Sequence, residues 1–302
     1  MLKDTLLYLA QNQRMHNFVV QNPVTRSASR RFVAGEALDD AVQVAHTLNK
    51  QGLHVALDLL GENVTDDTET RAAAQDYIKA INLIEKTNVD ANISIKLTAL
   101  GLDISKDLCE ENLRTVLEGA SKQKTFVCID MEGSDYTEQT VDMTLRMHER
   151  FEHVGTVIQS YLYRSRKDLE QLILQGVRVR LVKGAYKEVQ ATAYQNKSDV
   201  DRNYVQLMIL LLSRGNYPAI ATHDEAIIDA ACKHVRTHGI SKSSFEFQML
   251  YGIRRDLQEK LVKQGYNMRV YVPYGSHWYP YLMRRMVERP ANLMFVMSNL
   301  WR

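Results

Sequence analysis

The stretch G-V-R-V-R-L-V-K-G-A-Y at 176–186 decides how this chain is read. Val177, Val179 and Leu181 alternate with Arg178, Arg180 and Val182, the period of two that a strand requires. Gly184 and Ala185 then let another group come close to the backbone. A strand buried on both faces should be an almost continuous apolar run. Arg180 and Lys183 are therefore either paired ions or parts of a site.

Outward from this stretch, seven more runs have strand character: 54–60, 93–97, 126–130, 156–159, 219–222, 245–248 and 269–272. The segments between them show helical periodicity, as in T-R-A-A-A-Q-D-Y-I-K-A-I-N-L-I-E at 70–85 and R-N-Y-V-Q-L-M-I-L-L-L-S at 202–213. Eight alternating units predict an α/β protein, a (β/α)8 barrel, with an open doubly wound sheet as the structural alternative. No G-x-G-x-x-G opens the first helix to suggest a dinucleotide fold. Residues 1 to about 50 read as helical, broken near Asn22-Pro23, which divides the chain into an N-terminal helical arm at 1–45 and a catalytic barrel at 46–302. A last helix, from Trp278 onward, is expected over the barrel mouth.

With 302 residues, 45% hydrophobic and 25% charged, the chain has the balance of a globular protein with a full core. A net charge of +2 without long like-sign runs leaves no nucleic-acid footprint. Cys109, Cys128 and Cys232 are far apart and odd in number, which excludes a CxxC metal site and a secreted disulfide framework and points to a reducing, cytoplasmic setting. The N-terminus reads as an amphipathic helix, neither signal peptide nor membrane span, and it permits peripheral contact with a membrane.

In a barrel, polar residues at strand ends converge on one mouth. In chain order these are Glu62, Lys96, Asp130, Gln159, Arg180 and Lys183, Thr222-His223-Asp224, Glu246 and Gln248, and Tyr271. Singly, each is equally a solvated rim residue or half of an ion pair; their joint placement suggests a lined pocket. The last helix adds Tyr281, Arg284 and Arg285. Two guanidiniums beside an aromatic ring suit a carboxylate clamp, and the same spacing equally suits Arg284 pairing with Glu288. A barrel with Lys96 or Lys183 inside also suits a Schiff-base lyase or aldolase. A catalytically silent flavin- or amino-acid-binding protein would use a similar lining.

Seven blocks, in order, resemble the proline dehydrogenase family, flavoenzymes that begin proline catabolism. They are D-L-L-G-E at 58–62, S-I-K-L at 94–97, I-D-M-E at 129–132, R-L-V-K-G-A-Y at 180–186, A-T-H-D at 221–224, E-F-Q-M-L-Y-G at 246–252, and R-V-Y-V-P-Y-G at 269–275 with Y-L-M-R-R-M-V-E-R-P-A-N at 281–292. The resemblance runs from about residue 30 to the end of the sequence.

It implies a distorted (β/α)8 barrel holding FAD at its C-terminal mouth and oxidising L-proline to Δ1-pyrroline-5-carboxylate, with electrons passed to a membrane quinone. Carried over by position, Lys96, Arg284 and Arg285 hold the substrate carboxylate, while Tyr271, Tyr281 and Leu250 pack around the ring. Arg180 sits near the flavin N5, and Asp130 orients tyrosine or cationic neighbours. Met131, Gln159, Lys183, Gly184, Ala185, Thr222 and His223 match flavin-binding positions, and Glu62 matches a gate that pairs with Arg180. A tyrosine at 271 favours proline over hydroxyproline. With no aldehyde dehydrogenase domain in the sequence, the resemblance implies a separate pyrroline-5-carboxylate dehydrogenase for the second oxidation.

Overall fold

The computed structural model describes residues 29–61 and 64–288, with side chains through Met283. Eight parallel strands close on themselves in chain order, β1 to β8, with β8 pairing back onto β1. They are β1 (His54–Leu59), β2 (Ala91–Ile95), β3 (Val127–Ile129), β4 (Val154–Gln159), β5 (Arg178–Val182), β6 (Ala219–Ala221), β7 (Glu246–Leu250) and β8 (Asn267–Tyr274). The open sheet is thereby excluded. Helix α1 (Leu38–Asn49) precedes β1. The crossovers carry α2 (Asp67–Thr87), α3 (Lys106–Gln123), α4 (Thr137–His148), α5 (Ser165–Leu174), α6 (Lys197–Arg214), α7 (Glu225–Thr237) and α8 (Arg255–Lys263). Helix α9 (Trp278–Glu288) follows β8. Residues 1–28, most of the expected N-terminal arm, lie outside the described residues.

Local chemistry explains several boundaries. Asp66 caps α2 by accepting from the Thr68 and Glu69 amides, and Ser105 caps α3. Asn88 and Lys124 stop those helices in the left-handed conformation at φ 51° and 55°. Strand β2 begins and ends two residues before the expected 93–97. It stops at Ile95 because the backbone turns there, with the Leu100 and Leu102 amides both donating to the Leu97 carbonyl. Lys96 therefore stands just past the ladder, free to bend over the mouth.

The register separates two faces. Val55, Leu57, Ile93, Ile95, Val127, Ile129, Val179 and Leu181 face the helices and join the main core. The alternate residues Ala56 and Asp58, Ser94, Cys128, Gly155 and Val157, Arg178 and Arg180, Ala219, Glu246 and Gln248, and Arg269 and Tyr271 share the inner face, as the strand partners show. The inside of this barrel is thus charged. Small Ala219 stands opposite Arg180, and at Gly155 a Cβ would lie 2.3 Å from the Arg178 carbonyl oxygen and 2.7 Å from the Phe126 ring.

A second apolar cluster sits at the C-terminal ends of the strands: Phe32, Val33, Leu60, Ile253, Trp278, Tyr279, Tyr281, Leu282 and Met283. It seats α9 at the mouth. Residues 31–36 tie it down, since Ala34 donates to the Pro273 carbonyl, Gly275 donates to Gly35, and the Trp278 indole donates to Glu36 at 3.2 Å. Gly252 permits this clamp: at φ 76° a Cβ there would sit 1.9 Å from the Arg31 carbonyl oxygen.

Candidate active site

Four charges of alternating sign line the mouth. The Lys96 ammonium lies 2.8 Å from Asp58 and 3.8 Å from Asp130. The Arg180 guanidinium donates to Asp130 at 2.7 Å and to the Ser94 hydroxyl at 2.9 Å. Tyr271 donates its phenol proton to the other Asp130 oxygen at 2.6 Å, and its ring lies 5.2 Å from the Arg180 Cζ. Strands β1, β2, β3, β5 and β8 thereby meet at one point. Buried charges persist only when paired, and here each of the four has an opposite partner.

The surroundings fix protonation. Burial works against the Lys96 charge, but Asp58 and Asp130 outweigh it and hold the amine ammonium well beyond its ordinary range. A lysine so held is a poor nucleophile, which argues against Schiff-base chemistry. Burial, reinforced by Asp130 and Asp58, keeps the Tyr271 phenol protonated. Burial likewise opposes the Arg180 charge, and the neighbouring Asp130 carboxylate helps to overcome it. Among the described residues no three His, Cys, Asp or Glu side chains gather to hold a metal ion.

Beside this cluster a second set of residues forms a polar ledge. Gln159, ending β4, donates to the Glu132 carbonyl at 2.8 Å, next to buried Met131. Lys183, one residue beyond β5, is gripped by Asp201 at 2.5 Å and Asp224 at 2.8 Å. That grip holds the Asp224 carboxyl below the usual carboxylate range. Gly184 follows at φ 113°, its backbone so close to the Tyr161 ring that a Cβ would lie 2.4 Å from it. Ala185 is exposed. The Thr222 hydroxyl accepts from the Asp224 amide at 3.1 Å. His223 accepts the Leu250 amide on Nε2 at 2.9 Å, which places the proton of the neutral ring on Nδ1.

The comparisons with known proteins bear on this arrangement. Residues 41–298 match the family model described as proline dehydrogenase. The chain belongs to the proline dehydrogenase family. It is 43% identical over 300 residues to "Proline dehydrogenase 1" of Bacillus subtilis subsp. natto, covering 99% of each chain. It is 43% identical over 277 residues to "Proline dehydrogenase" of Deinococcus radiodurans, covering 90% of this chain and 89% of the other. Among solved structures, proline utilization A from Bdellovibrio bacteriovorus, inactivated by N-propargylglycine, superposes with a TM-score of 0.82 at 24% identity. That match covers 94% of this chain and 38% of the other and shares its fold.

As a member of the proline dehydrogenase family, the chain brings together several residues singled out from sequence. Lys96, Asp130, Arg180 and Tyr271 meet in one cluster. Leu250 stands beside it, paired in register with Tyr271. Met131, Gln159, Lys183, Gly184, Ala185, Thr222 and His223 line the adjoining ledge along the ends of β3 to β6. Tyr281 is buried in the cluster that seats α9. Arg284 and Arg285 lie on α9 with side chains outside the described part, and Glu62 lies outside the described residues altogether.

Sequence reasoning missed Asp58, Ser94 and Asp201, and it placed Asp224 at the mouth without pairing it with Lys183. Asp58 carried one usable signal: in H-V-A-L-D-L it falls on the inner parity of β1, where a lone carboxylate requires a cation.

Proposed function

We propose that this chain oxidises L-proline to Δ1-pyrroline-5-carboxylate using FAD. The observation that carries the reading is the Asp58, Lys96, Asp130, Arg180 chain at the mouth of a proline dehydrogenase-family barrel. A flavin fits the residues present. The Arg180 Nε is a buried donor without a hydrogen-bond acceptor among the described residues. Exposed Ala185 presents only a small side chain on the ledge. Met131, Gln159, Lys183, Gly184, Ala185, Thr222 and His223 would hold the cofactor. When bound, FAD supplies the two-electron acceptor for hydride from the proline C5.

The chain's own residues supply position and field. Lys96, with Arg284 and Arg285 from α9, binds the substrate carboxylate and so fixes the ring. Tyr271, Tyr281 and Leu250 pack around that ring, with Tyr271 favouring proline over trans-4-hydroxyproline. Asp130 aligns Arg180 and Tyr271 by accepting from both. Arg180 places fixed positive charge where reduction adds negative charge. Glu62 is the gate that pairs with Arg180 over the substrate.

Electrons pass in this reading to a membrane quinone. Among the described residues no helix is long and apolar enough to cross a membrane; in this reading the exchange takes place peripherally, at the inner face of the cell membrane. A separate pyrroline-5-carboxylate dehydrogenase consumes the product. The test is one absorbance spectrum before and after anaerobic L-proline. A yellow protein whose visible band bleaches with proline supports cofactor, substrate and reaction together; a colourless protein, or a yellow one that proline leaves unchanged, overturns the reading.

A further inference from the structure

We infer that Asp58 is a positioning residue for the substrate carboxylate, acting through Lys96. The inference rests on the proposed role of Lys96 as a carboxylate ligand. Asp58 lies on the inner face of β1, opposite Ser94, and is 2% exposed. Its oxygen stands 2.8 Å from the Lys96 ammonium. Asp130 is the more distant partner, one of its oxygens accepting from Arg180 at 2.7 Å and the other from Tyr271 at 2.6 Å. Its distance to Lys96 is correspondingly longer, 3.8 Å.

An ammonium has three N–H donors on a flexible four-carbon stem. Asp58 engages one of them and so sets the direction of the other two. Without it, the nearest negative charge is Asp130, and Lys96 swings toward the Arg180 side of the mouth. A carboxylate at 58 cannot itself bind a carboxylate ligand, since like charges repel. Whatever Asp58 contributes to binding is transmitted by the lysine. This separates it from Lys96, Arg284 and Arg285, which touch the anion in the proposed reading.

The test uses calorimetric binding to the flavin-loaded protein with two half-substrates. Cyclopentanecarboxylate keeps the ring and the acid; pyrrolidine keeps the ring and the nitrogen. Asp58→Asn is expected to weaken cyclopentanecarboxylate by about tenfold or more and to leave pyrrolidine unchanged. Asp58→Glu, which keeps the charge, should recover part of the loss. On a Lys96→Met background, Asp58→Asn should add no further loss, because the residue through which it acts is gone.

Unchanged affinity in Asp58→Asn, equal loss of both ligands, or an undiminished penalty on the Lys96→Met background would each overturn the inference. Should Asp58→Asn fail to fold, the doubly neutral Asp58→Asn/Lys96→Met protein compared with Lys96→Met still reads the coupling. Lys96→Met binding cyclopentanecarboxylate as well as the unaltered protein does would strike at the role of Lys96 itself.

Discussion

Two arginines on β5, Arg178 and Arg180, stand two residues apart on the same inner face and do different work. Arg178, toward the barrel floor, lies between two rings, with its Cζ 4.0 Å from the Phe126 centroid and 4.5 Å from that of Tyr217. Burial lowers its pKa, and Glu246 offsets part of that effect. Arg180, toward the mouth, is held by a carboxylate and a hydroxyl, with an aromatic ring on one side only. At the floor a cation is stabilised by apolar faces and plugs the barrel. At the mouth it is held by directional acceptors, Asp130 and Ser94. Residue type alone does not separate structure from chemistry; depth along the strand does.

The sharpest way to break this comparison is to neutralise each arginine in turn. Arg180→Met should lower kcat/KM for proline by roughly 10²- to 10³-fold, the scale on which lost electrostatic stabilisation of a developing charge is felt. Flavin content and melting temperature, measured alongside, should change far less than activity. If turnover survives, the functional half of the comparison is wrong. Arg178→Met should do the reverse. Losing a desolvated cation between two rings costs about 2 kcal/mol, which for a chain of this length corresponds to a drop of roughly 3 °C in melting temperature. Proline turnover at low temperature should be unchanged. A large loss of activity in a well-folded Arg178→Met protein would make the floor part of the site.

The smallest expected effect concerns protons. Burial pushes the Cys128 thiol on the inner face up to about 11 and the Cys109 thiol in the outer core up to about 12, from an ordinary 9.0. Burial also raises the phenols of Tyr204 and Tyr271. Each of these groups is held protonated when folded, so its contribution is complete below the unfolded value and fades as pH climbs toward the folded one. Denaturant midpoints should therefore be level up to about pH 9 and fall above it, by on the order of 1 kcal/mol at first. A midpoint that holds steady to pH 11 would show that these interiors admit charge more readily than the packing indicates.

The alternation at 176–186 was enough to place β5, and its inner parity already put Arg178 and Arg180 on one face. Two strands extend past the expected bounds because ladder pairing continues there: β7 runs to Leu250, beyond the expected 248, and β8 runs over Asn267–Tyr274, beyond the expected 269–272. What could not be read was partnership across the ring. Asp58 reaches Lys96 only because β1 and β2 pair with Asp58 opposite Ser94, a register set by barrel closure. Lys183 meets Asp201 and Asp224 from two later crossovers, and no local pattern announces it. The aromatic bracket around Arg178 draws on Phe126 and Tyr217, each from a different loop.

The pairing of β8 with β1 has a kinetic consequence. Residues 54–59 must wait for 269–274 before their outer edge is satisfied, a separation of more than two hundred positions that places this contact among the slow ones to form. Until then the carboxylate of Asp58 and the phenol of Tyr271 belong to unconnected segments, and a growing chain exposes a half-built ring with two bare strand edges. Catalytic competence would thus arrive in a single late event, when the seam zips shut.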